Sequence, residues 1–173
     1  EAEFDLLVNT PAVDIVKRVV GWFCNRVVDP ACYEFYTTAR DAKMHMLLYG
    51  PPGTGKTWLA ECAAREIEKV AIAQNRPFKL YRIDRGDFDG DPARAFKRIS
   101  ALFTAAADPE PVSVIILDEC DAVMKTRAQQ LCNAFKSAWQ DQFSRADAIV
   151  LGQTNHIGQI DGAIKERFAH EIE

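Results

Sequence analysis

The stretch that decides the fold is "LLYGPPGTGKTWLAECAA", residues 47–64. An apolar run leads into it, three glycines and two prolines fill its middle, and a lysine opens a segment of helical character. Gly50, Gly55, Lys56 and Thr57 fit the spacing GxxxxGK[ST]. In such a loop the glycines let successive backbone N–H groups curl around an anion, and the helix that follows points its positive N-terminus at the same place. Lys56 can then reach terminal phosphates, and the Thr57 hydroxyl can hold Mg²⁺. The competing reading is a plain Gly/Pro turn before a helix; the position between strand and helix favours phosphate. The expected nucleotide contacts are Gly50, Pro51, Pro52, Gly53, Thr54, Gly55, Lys56, Thr57 and Trp58.

Working outward, strand-like and helix-like segments alternate. Val13, Val16, Val20 and Phe23 recur at three- and four-residue intervals after Pro11, which predicts an amphipathic helix. Residues 29–40 read as a turn and a short helix, and residues 44–49 as a buried strand. The helix after the glycine loop runs to about residue 74. Strands are expected at 78–84, 112–118 and 148–153, with helices at 91–107, 126–143 and 161–168. This alternation predicts a mainly parallel sheet covered on both faces, with ligands bound beyond the carboxyl ends of the strands. The glycine loop lies at one such end.

At another end stands "VSVIILDECDA", residues 112–122. Four apolar residues deliver Asp118 and Glu119 to the end of a strand. Asp118 can join the Mg²⁺ shell, and Glu119 can orient or deprotonate a water. The pair suits ATP hydrolysis better than kinase or sugar-transfer chemistry. Taken alone, it also reads as a solvated acidic turn.

Composition narrows the class. A chain of 173 residues is the size of one domain and can bury roughly 70% of its unfolded surface. Its 25 acids outnumber its 21 bases, so the overall charge does not advertise a polyanion partner. Cys24, Cys32, Cys62, Cys120 and Cys132 are odd in number and too widely spaced for paired metal ligands, and are expected to be reduced, mostly core thiols. No apolar run reaches the ~18 residues of a membrane span, and no signal pattern opens the chain. A cytoplasmic or nuclear protein is expected. Residues 1–4, "EAEF", have the look of vector-derived residues and are set aside from the fold reasoning.

With both motifs in place, the sequence resembles the AAA+ ATPases, in particular the AAA branch that contains katanin, spastin and the vacuolar-sorting ATPases. "GPPGTGKT" is the form of the phosphate loop common there, and "ILDECDAV" is similar to the branch's IDEID segment. "AIVLGQTNHIGQIDGAIKERF" is similar to its sensor-1 and arginine-finger region. The resemblance spans about residues 12–173. It implies a P-loop NTPase fold, a three-layer αβα sandwich around a mainly parallel five-stranded sheet. Residues 5–173 would be the large nucleotide-binding subdomain, without the helical lid that completes the adenine pocket.

Residue roles follow from the same resemblance. Asn155 would place the attacking water near the γ-phosphate, unless it is an ordinary turn residue. Arg167 would be a finger reaching the ATP of a neighbouring subunit, unless it is a surface arginine. A second finger arginine is often found three residues on; here that position is His170, which carries little charge at neutral pH. "RGDFDGDPARAF" lines up with the first pore loop, making Phe88 the aromatic that grips a threaded polypeptide and Gly90 the turn. Asp87 and Asp89 would give that loop an acidic rim suited to basic substrates. Alternatively, Phe88 packs into the core.

The implied function is a motor. ATP and Mg²⁺ bind at residues 50–57, a homo-oligomer of six subunits shares fingers across its interfaces, and hydrolysis remodels a protein substrate. The isolated domain is expected to bind ATP weakly and to stay monomeric. Two alternatives stand beside it. One is a nucleic-acid-associated machine of clamp-loader, initiator or helicase type, since "DECD" alone resembles a helicase motif; low basicity disfavours it. The other is a nucleotide-gated scaffold with little turnover.

Overall fold

The computed structural model describes residues 3–31, 44–87, 92–124, 133, 136, 139 and 147–173. Its framework is a five-stranded sheet in the order β2-β3-β4-β1-β5. The strands are β1 (Met46–Tyr49), β2 (Phe78–Ile83), β3 (Val112–Leu117), β4 (Ala148–Thr154) and β5 (His170–Ile172), and every pairing is parallel. Helices α1 (Pro11–Val28), α2 (Lys56–Ala73), α3 (Pro92–Ala106), α4 (Asp121–Met124) and α5 (Gly162–Lys165) intervene. The expected αβα sandwich is the observed fold.

Side chains alternate along each strand and so divide the core in two. Met46 and Leu48, Val112, Val114 and Ile116, and Ile149 and Leu151 face one layer. There they meet α1 through Val16, Val20 and Phe23, and α2 through Ala63 and Ile67. Leu47, Ile115, Leu117 and Val150 face the other layer, against Ile99 and Phe103 of α3, Trp139, Ile164 and Phe168. β3 and β4 are buried along their whole length, as their apolar sequences predict. β2 is not: Lys79, Leu80 and Arg82 are exposed, because this strand is an edge of the sheet and the expected two-sided cover stops short of it.

α1 starts as its sequence dictates. Thr10 Oγ1 accepts from the Val13 amide at 3.3 Å and Pro11 takes the first position, where its missing N–H costs nothing. Phe4, set aside above, is buried against this helix layer, with the Lys17 ammonium 5.7 Å from its ring centroid. At the far end of the sheet from the glycine loop, Arg76 pairs with Asp147 and also bonds the Pro109 and Glu110 carbonyls. It thereby ties the end of α2 to the starts of β3 and β4.

The expected helix over 126–143 is described only at Asn133, Lys136 and Trp139, all helical, and that over 29–40 only at its first residues. Of the thiols, Cys62 and Cys120 are buried and Cys24 half-buried, all three free; Cys32 and Cys132 lie outside the described residues. β5, which the resemblance implies, is three residues long and lies beside β1 with Met46 opposite His170.

Candidate functional site

The glycine loop leaves β1 and turns into α2 through three residues that only glycine occupies freely: Gly50, Gly53 and Gly55 have φ of 142°, 81° and 88°. Gly55 caps α2 in the left-handed conformation, so the helix begins at Lys56 and its first amides face the loop. The Lys56 ammonium bonds the loop's own carbonyls, Gly50 O at 2.9 Å and Pro51 O at 2.8 Å, and Thr54 Oγ1 donates to Pro51 O at 3.0 Å. Burial pulls the Lys56 pKa below its ordinary value, and the Asp118 carboxylate nearby opposes the shift.

Two strand ends complete the site. β3 stops at Leu117 and hands over to Asp118, whose Oδ1 accepts from the Glu119 amide at 3.0 Å. Glu119 has a φ of 45°, a left-handed conformation that costs a residue with a Cβ about 1–2 kcal/mol. Such strain collects where a side chain must be aimed. β4 ends at Thr154, whose buried hydroxyl bonds Asp121 at 3.0 Å, and passes to exposed Asn155. These ends and the glycine loop surround one cleft of about 580 Å³. Pro52, Gly53, Gly55, Lys56, Thr57 and Trp58 line one side of it, and Asp118, Glu119, Asn155 and Gln153 the other. The structure therefore brings together the expected phosphate, metal and water-handling residues.

Gln153 is the residue that sequence reasoning missed. It is 1% exposed, lies at the floor of the cleft, and accepts the Thr57 hydroxyl proton on Oε1 at 2.9 Å. The signal was present: a long amide in an otherwise apolar strand, just before Thr154 and Asn155.

Other expected residues lie elsewhere. Arg167 follows α5, does not line the cleft of its own chain, and donates to the Ala163 and Lys136 carbonyls. His170 is in β5, its ring 6.3 Å from that of Trp22, rather than in a free loop. Burial lowers its pKa and neighbouring Arg18 adds to the effect, so it is poorly placed to carry charge. Phe88 and Gly90 lie outside the described residues, as does Asp89. Asp87 pairs with Arg98 at 2.7 Å, so its charge is already engaged.

The donor set fits Mg²⁺. The Thr57 hydroxyl and the Asp118 carboxylate are hard oxygen ligands, and this ion binds through one or two protein groups plus phosphate oxygens and water. Among the described residues no group of three or more His, Cys, Asp and Glu side chains could hold a metal. The cleft volume and its glycine cradle likewise fit a nucleoside triphosphate.

Comparison with known proteins gives a consistent result. Residues 46–173 match the model of the "ATPase family associated with various cellular activities (AAA)". The chain is 31% identical over 172 residues to the ATP-dependent zinc metalloprotease FtsH of Lachnoclostridium phytofermentans, covering 91% of this chain and 27% of that protein. To fidgetin-like protein 1 of Drosophila melanogaster it is 29% identical over 148 residues, 80% of this chain and 27% of the relative. Among solved structures, the FIGL-1 AAA domain in complex with ADP superposes with a TM-score of 0.74 at 23% identity, covering 99% of this chain and 55% of that one. The chain spans about a third or less of the length of the curated relatives it matches. No described helix is long and apolar enough to cross a membrane.

Proposed function

This chain belongs to the AAA family of ATPases, and from that premise we propose that its cleft binds Mg·ATP and hydrolyses the γ-phosphate as one part of an oligomeric, protein-remodelling motor. The observation that carries the proposal is the convergence of the glycine loop, Lys56, Thr57, Asp118, Glu119 and Asn155 on one cleft.

Each residue has a task that its geometry supports. The loop amides and the start of α2 receive the phosphate chain, and Lys56 exchanges the Gly50 and Pro51 carbonyls for phosphate oxygens. Thr57 and Asp118 hold Mg²⁺, which when bound offsets negative charge on the phosphates. Glu119, held forward by its left-handed backbone, orients a water and takes its proton. Asn155 fixes that water from the neighbouring strand end. Trp58, 41% exposed on the cleft wall, offers an aromatic face to the nucleotide. Catalysis on this scheme is positioning and charge stabilisation.

Arg167 supports the oligomeric part of the reading. It does not line its own cleft, and its two bonds to backbone carbonyls use two of the guanidinium's five N–H donors, which leaves donors for a neighbour's phosphate oxygens. Six subunits, a protein substrate and a grip through Phe88 are extensions by family likeness. The test is phosphate release per subunit as protein concentration rises, with Arg167→Ala and Glu119→Gln in parallel. The proposal expects a rate that climbs with concentration and falls about 10³-fold in Arg167→Ala, the scale of a finger. A rate independent of concentration and indifferent to Arg167→Ala contradicts the shared site. Nucleotide binding without turnover would instead favour the gated scaffold.

A further inference from the structure

Gln153 is a costly residue to bury. Its Oε1 accepts from Thr57, but its Nε2 has no partner, with almost no accessible surface. An unsatisfied buried amide costs about 1–3 kcal/mol. Turning the amide over exchanges the two atoms and still leaves one of them unpaired, because Thr57 offers a single hydroxyl. For packing alone, a methionine or leucine would serve better at this place in an apolar strand.

The direction of the side chain suggests what the amide does. Gly152, one residue earlier, faces Phe168 and Leu47 on one side of the sheet. Gln153 therefore faces the opposite layer, that of α2, and meets the hydroxyl at its first turn. A hydroxyl has one proton and two acceptor lone pairs. With its proton committed to Gln153, Thr57 turns both lone pairs away from β4, toward the cleft that Asp118 also lines. Partners behind a metal ligand commonly set its orientation in this way.

We propose that Gln153 is a positioning residue that locks the Thr57 hydroxyl in the orientation needed to ligate Mg²⁺, its unpaired amide N–H being the stability cost of that function. The assignment rests on the nucleotide-site reading above. It predicts that Gln153 acts on the part of nucleotide affinity that depends on Mg²⁺ and leaves the rest alone.

The test is equilibrium binding of ATP, with and without Mg²⁺, to the wild-type chain, Gln153→Met, Thr57→Val and the double variant, alongside urea unfolding of each nucleotide-free protein. Gln153→Met is expected to be at least as stable as wild type, to bind Mg·ATP about tenfold more weakly, and to bind metal-free ATP within about twofold. In the Thr57→Val background, where there is no hydroxyl to orient, Gln153→Met should change nothing further. Equal weakening with and without Mg²⁺, no weakening, or an effect that persists beside Thr57→Val would overturn the assignment. A wild-type chain that binds ATP in neither condition would refute the nucleotide site itself, and the role of Gln153 with it.

Discussion

Phe168 lies against the α-carbon of Gly152 so closely that a Cβ placed there would stand 2.8 Å from Cζ of the ring and 3.0 Å from Leu47 Cδ1. The absent side chain at Gly152 thus lets the turn after α5 sit down on β4, with the Phe168 ring edge-on to Trp139 at 5.0 Å between centroids. Arg167 is the residue before Phe168, so the same contact fixes where its guanidinium starts.

Gly152→Ala should therefore overpack this junction and cost about 1–3 kcal/mol in urea unfolding. Phe168→Leu shortens the group that the added methyl would meet, so the double variant should lose clearly less than the sum of the two single losses. Strict additivity would show that the ring is free to move aside.

Glu119 makes the opposite prediction. Its φ of 45° is a strained backbone that Gly relieves, although Gly also frees the unfolded chain. Glu119→Gly should unfold no earlier than wild type and gain up to about 1 kcal/mol, while losing turnover. Glu119→Gln should keep wild-type stability within about 0.5 kcal/mol and lose turnover as well. A Glu119→Gly variant that is clearly destabilised would mean the strained backbone is not where the energy lies.

His170 gives a pH dependence of definite sign. Desolvation first, and then Arg18, hold its folded pKa below the ordinary value of 6.5. The stability it contributes is present above pH 6.5 and declines as the pH falls toward and through the lower folded value. Between about pH 7.5 and 5, His170→Gln should lose less unfolding free energy than wild type, and Arg18→Gln should fall between them. Equal losses in all three would show that His170 is not the titrating group.

Much of this molecule was legible before any coordinate. The valines of α1, the apolar run of β3 and the glycine loop each carry a period or a spacing with one physical solution. Every expected element among the described residues was found within a few residues of its place. The convergence of the expected residues on one cleft was legible for the same reason, since loop geometry and strand ends dictate residue type at fixed positions. What the residues alone did not disclose is long-range. β5 is too short to show a period and exists because β1 offers it an edge. The exposure of β2 depends on its being last in the sheet order, which the alternation of elements leaves open. The contact between Gln153 and Thr57 joins residues 96 apart in sequence. His170 lined up with a finger position, yet the fold gives it to a strand beside Trp22.

Whether this cleft receives the phosphates of ATP, on which every role above depends, is decided by calorimetric titration of Mg·ATP into the wild-type chain and into Lys56→Ala. The ammonium of Lys56 is the cation bonded within the loop itself, and its removal should leave the fold intact. One ATP should bind per chain, and Lys56→Ala should bind at least about tenfold more weakly, the loss of a charge-assisted contact of about 1.5–3 kcal/mol. Wild-type affinity retained in Lys56→Ala, or no binding to the wild-type chain, would contradict the assignment.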